Sequence, residues 1–217
     1  MTPDAVATYL QQHPEFFEEY ADLLSSIYIP HPHGGRAISI NERQILALRE
    51  KARKLESKLR ELIEFGEEND AIGEKLQRLV LALIGARDIE ATLSVLNFNL
   101  HEDFAVPHIA LRLWPQDFAS TLAEFAAVSA EARAFAESLN GPYCNANAMV
   151  DTASWFGDAG ARLRSFAYVP LRTDKSLGLL ALASEDPQRF YPEMGTLYLN
   201  RLGELAAAAV MRYLQRE

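Results

Sequence analysis

Two histidines stand close together in the segment IPHPHGG, residues 29–35. His31 and His33 are two positions apart, a spacing that can bring both imidazoles to one metal ion. A zinc site needs three or four protein ligands, however, so the remaining ligands would have to come from elsewhere in the chain. The prolines and glycines of the segment favour a chain reversal, because they restrict or free the backbone angles that a tight turn needs. We therefore interpret the segment as a joint between helices and predict no metal site.

Cys144 is the only cysteine of the chain and lies in GPYCNANAMV. A single thiol excludes an internal disulfide framework and a multi-cysteine zinc site, which is typical of proteins from a reducing compartment. We interpret Cys144 as a small buried apolar residue, the more frequent environment of a free cysteine. A reactive thiol at this position, and with it a thiol-dependent enzyme, is the alternative.

The sequence motifs of common catalytic sites are absent from the chain. It contains no G-x-S-x-G, G-x-x-x-x-G-K-[ST], G-x-G-x-x-G or H-E-x-x-H pattern. We therefore predict no catalytic residues, and the sequence specifies no cofactor.

Composition limits the partners that the protein can have. The chain has 217 residues, of which 49% are hydrophobic, and a formal net charge of -9. This acidic charge disfavours nucleic acid as a partner, because phosphate binding depends on clustered Lys and Arg. The longest apolar stretch, LVLALIGA, is far shorter than the roughly 18 apolar residues of a membrane-spanning helix, and no secretory signal is recognisable. These features predict a cytoplasmic globular protein that binds neither nucleic acid nor membrane.

The N-terminal part is expected to form two short helices, the joint and then a long helix. Pro14 separates the two short helices, since a proline inside a helix removes a backbone donor and clashes with the preceding turn. After the joint, Ser39 and Glu42 have the spacing of a capping box, which predicts the start of the long helix.

The long helix has an apolar stripe with the 3.5-residue period of a coiled coil. Three consecutive stripe positions, Gly66, Asn69 and Gly73, are small or polar, which indicates either a drifting surface stripe or a hinge or register-setting position. Because the stripe is too apolar to stand alone in water, we predict a homodimer, with the paired helices either parallel or antiparallel. The predicted interface residues are Ile45, Leu48, Leu55, Leu59 and Leu62.

The C-terminal part has the pattern of a mixed helix and sheet domain. Asp88 is a candidate N-cap, HIALRLW alternates like a strand, and AEARAFAESL has the pattern of a helix. SFAYVPLR and SLGLLALAS, joined by TDK, are typical of an antiparallel hairpin. The last helix is rich in alanine and is expected to pack beside the long helix, with Gly195 and Gly203 allowing close approach.

The hairpin region resembles the second half of a GAF domain. In such domains a strand ending in PL, a turn, a GxLxLxS strand and a D-x-x-RF motif precede the last helix, as in SFAYVPLRTDKSLGLLALASEDPQRFYPE. The whole chain resembles the bacterial family called domain of unknown function 484, through the segments YLQQHPEFF, IPHPHGGRAISINERQILALRE, EENDAI and RFYPEMGTLYLNRLGE.

This resemblance implies an α+β fold with a GAF-like sheet. GAF domains are six-stranded antiparallel sheets flanked by helices, with a ligand pocket on one sheet face and dimerisation through the terminal helices. The expected parts are an N-terminal helical segment with the joint (1–38), a long coiled-coil-like helix (39–86) and a GAF-like domain (87–217).

Residues 141–165 correspond to the segment that covers the pocket of a GAF domain. Aromatic rings with nearby arginines can hold an aromatic or anionic ligand, or they can simply cover a sheet face. The candidate ligand-binding residues are Arg112, Trp114, Tyr143, Cys144, Trp155, Phe156 and Arg164.

The expected function is that of a non-catalytic, cytoplasmic, homodimeric GAF-like sensor or adaptor that binds a small molecule. Because no output domain follows in this chain, its signal is expected to leave through a partner protein. Two alternatives stay open: an enzyme, thiol-dependent or other, at the GAF pocket, and a ligand-free scaffold whose cavity is filled by side chains.

Overall fold

The computed structural model describes residues 2–29, 38–115, 118 and 120–214, without the side chains of residues 24–26, 28–29 and 38–42. His31 and His33 lie outside the described residues, so the joint and the metal site both stay untested interpretations. The chain divides into two compact units, Met1–Glu67 and Glu68–Glu217.

The first unit contains three short helices, a small antiparallel strand pair and the beginning of a long helix. Their bounds are α1 Pro3–Gln12, α2 Phe16–Glu19, α3 Ala21–Ser26, β1 Tyr28–Ile29, β2 Ile38–Ser39 and the start of α4 Ile40–Gly85. The predicted break at Pro14 is confirmed, since α1 ends at Gln12 and α2 begins at Phe16. The predicted number of two short helices was wrong, because the backbone of Tyr20 leaves the helical region at φ -115°, ψ 41° and separates α2 from α3. The long helix begins directly after Ser39, as the capping-box spacing predicts.

The second unit contains the rest of α4 and a sheet with helices on it. The regular elements are α5 Ile89–Glu102, β3 His108–Leu113, α6 Ala130–Ser138, β4 Tyr143–Asn145, β5 Ser165–Arg172, β6 Ser176–Ser184 and α7 Leu197–Leu214. Two stretches of 3₁₀ helix lie at Ala123–Phe125 and Thr152–Arg162. The predicted cap of α5 is confirmed, since the Asp88 carboxylate accepts a hydrogen bond from the Ala91 N–H at 2.7 Å.

The sheet of the second unit is antiparallel, with the strand order β3-β6-β5-β4. The predicted hairpin is confirmed, with Ser165 opposite Ser184 and Leu171 opposite Gly178. In the part of the chain that the structure describes, the sheet has four strands, two fewer than the resemblance to GAF domains implies. The fold class is α+β, as predicted.

The two faces of the sheet are covered in different ways. One face carries Val169, Leu180 and Leu182 and packs against leucines of α4, α5 and α7, such as Leu79 and Leu100. This side forms the larger core. The opposite face is covered by α6 and by side chains of irregular segments, and its members include Ala136, Leu163, Phe166, Tyr168, Leu179 and Ala181, with Trp155 and Phe156 packed on them.

The final helix is fixed to the end of α4 by hydrogen bonds. The Tyr213 hydroxyl donates to the Ala86 carbonyl at 2.6 Å, and the Arg212 guanidinium donates to the Ile84 carbonyl at 3.3 Å. The last carbonyl groups of a helix have no partner within it. These two side chains of α7 therefore supply donors where α4 ends.

Gly203 marks the closest approach of α7 to the sheet. A Cβ at Gly203 would lie 2.6 Å from Cγ1 of Val169, a side chain that is fully buried in β5. The prediction that Gly195 and Gly203 seat the helix against the long helix was wrong: Gly203 faces the sheet, and Gly195 lies before α7 with open space around it.

Replacing Gly203 by alanine should destabilise the protein. The overpacking cost of about 1–3 kcal/mol exceeds the gain of about 1 kcal/mol that Ala brings to a helix interior, so we expect a net loss of about 1 kcal/mol. Gly73→Ala is the matched control: a Cβ there meets nothing within 4 Å, so this variant should gain about 0.5–1 kcal/mol. Urea unfolding followed by circular dichroism measures both, and equal stabilisation by the two variants would contradict the close contact.

Candidate functional site

A cavity of about 240 Å³ lies at the free edge of the sheet, beside β3. Its polar lining consists of Asn97, Arg112 and Glu124, and Trp155 provides an aromatic wall. The rest of the lining is aliphatic and comes from α5, β3, β6 and α7. We call this the edge cavity.

The strand pairing decides which backbone groups of β3 face the edge cavity. The Trp114 N–H donates to the Leu177 carbonyl at 3.0 Å, so Trp114 and every second residue before it bond to β6. The N–H and C=O groups of Ile109, Leu111 and Leu113 therefore point to the free edge. One of these, the Leu111 carbonyl, accepts a hydrogen bond from the Arg112 guanidinium at 2.9 Å.

Arg112 is the main charge of the edge cavity. Its guanidinium is half-buried, and desolvation lowers the pKa of Arg112, an effect that the Coulombic attraction of Glu124 opposes. The Arg112 Cζ atom lies 5.5 Å from the centroid of the Trp155 ring, within cation–π range. None of the ion pairs among the described residues includes Arg112. An arginine normally stays charged, so the edge cavity holds a positive charge that no described carboxylate contacts at ion-pair distance, although Glu124 lines the same cavity.

Trp114 belongs to a different cavity from Arg112, although both point to the same face of β3. Its cavity has a volume of about 540 Å³ and is also lined by Arg133 and Ser176. The Arg133 Cζ atom lies 5.7 Å from the Trp114 ring centroid. Trp114 Nε1 and Ser176 Oγ are both buried without a hydrogen-bond partner in the described part of the chain.

Tyr143 and Phe156 take part in an aromatic layer over the sheet. The Phe135 ring packs edge-on against Tyr168 at 5.2 Å and Tyr143 at 6.4 Å, and the Phe156 ring lies 6.2 Å from Phe166. These contacts fill much of the sheet face on which Trp155 and Phe156 also pack.

The layer is held by the buried hydroxyl of Tyr168. This oxygen lies 2.8 Å from Thr152 Oγ1 and accepts a hydrogen bond from the Met149 N–H at 2.9 Å. Burial raises the pKa of Tyr168, so the hydroxyl stays neutral and keeps the proton that it donates to Thr152 Oγ1, whose own proton goes to the Met149 carbonyl.

Cys144 lies on the other side of the sheet. It stands opposite Ala167 in the pairing of β4 with β5, and both side chains belong to the core that faces α4, α5 and α7. Burial raises the pKa of the Cys144 thiol, which disfavours the thiolate that nucleophilic chemistry requires. The sheet thus separates Cys144 from Arg112 and Trp155.

Arg164 lies apart from Arg112 and Trp155. Its side chain is exposed, and its backbone N–H donates to the Ser184 carbonyl at 2.8 Å next to the end of β6. Of the seven candidate ligand residues, the structure brings only Arg112 and Trp155 together in the edge cavity.

Sequence reasoning missed the polar residues other than Arg112 that line the two cavities, among them Asn97, Glu124 and Arg133. Asn97 follows Leu96 in the amphipathic helix α5 and is exposed, so its pattern is that of an ordinary surface position. Glu124 lies in the 3₁₀ helix Ala123–Phe125, and no local sequence pattern predicts that this helix contacts β3. In the described residues no group of three or more His, Cys, Asp or Glu side chains is arranged to hold a metal ion.

The family model described as "Protein of unknown function, DUF484" matches residues 1–215. The chain belongs to this family. It is also similar to the uncharacterized protein YigA of Salmonella typhimurium, with 24% identity over 227 residues, covering 98% of this chain and 92% of that protein. Among the described residues, no helix combines the length and the apolar character needed to cross a membrane.

Proposed function

We propose that this protein is a non-catalytic, GAF-like sensor or adaptor that binds a small anionic molecule in the edge cavity, forms a homodimer through α4 and acts through a partner protein. The observation that carries the proposal is the half-buried guanidinium of Arg112, which lines a cavity and forms no ion pair with a carboxylate of the described residues. A cation in a desolvated site gains most from an anion that brings its own negative charge there.

The shape of the edge cavity supports a small, flat ligand. Its volume of about 240 Å³ is below the range of about 300–1,000 Å³ that is usual for drug-sized ligands. Trp155 provides an aromatic surface and Arg112 a planar fork that matches the two oxygens of a carboxylate. The ligand class that fits is a small planar carboxylate.

The exposed stripe of α4 supports the homodimer. In the first unit Ile45, Leu48, Leu55, Leu59 and Leu62 are exposed by 49%, 65%, 58%, 58% and 65%. Full burial of one such side chain contributes about 1.5–3 kcal/mol, so a stripe of this length strongly favours a second helix against it. A second copy offers the same 3.5-residue repeat, whether the two helices run parallel or antiparallel.

The aromatic layer over the sheet favours a second candidate, a ligand-free scaffold. Phe135, Phe156, Phe166 and Tyr168 fill the face where a GAF domain binds its ligand. In that case the edge cavity would hold only water. Ligand binding at Arg112 separates the two candidates.

Small carboxylates should stabilise the protein through Arg112. At a benzoate concentration of about 100 times Kd the expected stabilisation is about 2.7 kcal/mol, which raises Tm by roughly 5–10 °C. The measurement is the thermal unfolding of the full chain in benzoate, acetate or inorganic phosphate, with neutral benzamide as the isosteric control.

Arg112→Gln should abolish this stabilisation, because the amide keeps polar character but loses the charge. Arg164→Gln is the matched control, since it removes an exposed arginine outside the cavity and should behave like the wild type. Absence of any anion effect in the wild type, or the same effect in Arg112→Gln, would support the scaffold instead.

The wild-type chain should sediment as a dimer at micromolar concentration. Leu55→Asp combined with Leu59→Asp should shift it towards the monomer, because two desolvated carboxylates would face each other across the interface. Ala47→Asp with Ser57→Asp adds the same charge to exposed α4 positions off the stripe and should leave the dimer intact. A monomeric wild type, or equal dissociation in both double variants, would contradict the helix interface.

A further inference from the structure

Another pocket lies on the helical side of the sheet, and Leu100 is a lining residue that it shares with the edge cavity. It has a volume of about 220 Å³ and is formed where α4, the end of α5 and the start of α7 meet. Its lining includes Ile72, Phe104, Phe190, Tyr198 and Leu199. We call it the α7 pocket.

The walls of the α7 pocket are mostly apolar. Leu100 and Leu182 at its base are 1% exposed, and Phe190 and Leu202 are each 3% exposed. Gly195 borders it, and a Cβ added there would meet nothing within 4 Å, so the space beside this residue is not used for packing. An apolar pocket of this kind takes an apolar group of a ligand.

Two cations line the α7 pocket, and no acidic residue does. Lys75 Nζ lies 6.0 Å from the centroid of the Phe104 ring. The Arg189 guanidinium donates to the Phe104 carbonyl at 2.6 Å and lies 5.7 Å from the Phe190 ring centroid. Neither residue is part of an ion pair among the described residues. The α7 pocket thus carries two positive charges, although the chain as a whole has a net charge of -9.

We propose that the α7 pocket binds a small amphipathic carboxylate, with its apolar chain against Leu182 and Leu199 and its carboxylate between Lys75 and Arg189. The size of the pocket sets the chain length. At about 30 Å³ per water-sized group, 220 Å³ holds about seven such groups, which corresponds to a fatty acid of about six to eight carbons. This site is separate from the edge cavity and does not depend on the function proposed for it.

A series of straight-chain carboxylates tests the apolar part of the site. Isothermal titration calorimetry of the full chain with butanoate, hexanoate, octanoate and dodecanoate should show affinity rising about fourfold per methylene and levelling off once the chain exceeds the pocket. Hexan-1-ol, which lacks the charge, should bind at least tenfold more weakly than hexanoate. Absence of hexanoate binding at millimolar concentration, or an increase in affinity that continues to dodecanoate, would overturn the proposal.

Charge variants test the polar part of the site. Lys75→Gln should weaken hexanoate binding at least threefold and Lys75→Arg should retain it, because only the first removes the positive charge. Lys58→Gln, the same change at an exposed position of the same helix, should leave binding unchanged. All hexanoate and chain-length titrations are made in the Arg112→Gln background, so that binding at the edge cavity does not contribute to the signal. An equal loss in Lys75→Gln and Lys58→Gln, or no loss in either, would show that hexanoate binds elsewhere.

Discussion

The burial of β6 on both faces is the constraint on which the second unit depends. Every residue from Leu177 to Ser184 is buried, and the strand has a hydrogen-bonded neighbour on each side. The side chains of such a strand are apolar on both faces, so each face needs apolar cover, and its backbone groups need hydrogen-bond partners because water cannot reach them. The leucines of α4, α5 and α7 cover one face, and α6 with the aromatic layer covers the other. At one edge of the sheet β3 has only β6 as a partner strand in the described part of the chain, and Arg112 lies there.

Much of this fold could be predicted from local sequence patterns. The cap at Asp88, the strand that ends before Pro115, and the β5–β6 hairpin each depend on residues close together in sequence. The extra break at Tyr20 was missed, because no proline or glycine marks it. The role of Gly203 was missed for another reason: the contact that requires a glycine comes from Val169, a residue of another element.

The candidate site shows the same limit more clearly. The alternation of β3 correctly places Arg112 and Trp114 on the same face of the strand. They line different cavities because β3 ends at Leu113, between the two residues. The face on which Cys144 lies follows from its pairing with Ala167, and no pattern within a three-residue strand specifies that pairing. Asn97 and Glu124 were missed since their positions near Arg112 depend on how α5 and a 3₁₀ helix pack on an edge strand. Local sequence predicts elements well, whereas cavities depend on the spaces that elements leave.

Long helix α4 combines two environments in one apolar stripe. Leu76, Leu79 and Leu83 are buried in the core of the second unit, whereas Leu55 and Leu59 in the first unit are exposed. The same repeat thus serves folding at one end of the helix and, in our proposal, association at the other. Both proposed ligand sites lie in the second unit, and the α7 pocket includes residues of α4 itself, which gives a ligand there direct contact with the helix.

The central claim is that the edge cavity is an open site for an anion and not a packing defect filled with water. Native mass spectrometry of the freshly purified protein tests it most directly. We predict a wild-type mass that exceeds the polypeptide by one small acid, an excess that disappears on denaturation and in Arg112→Gln but persists in Lys75→Gln. A wild-type protein with the mass of the polypeptide alone, or an excess that Arg112→Gln leaves unchanged, would contradict the account.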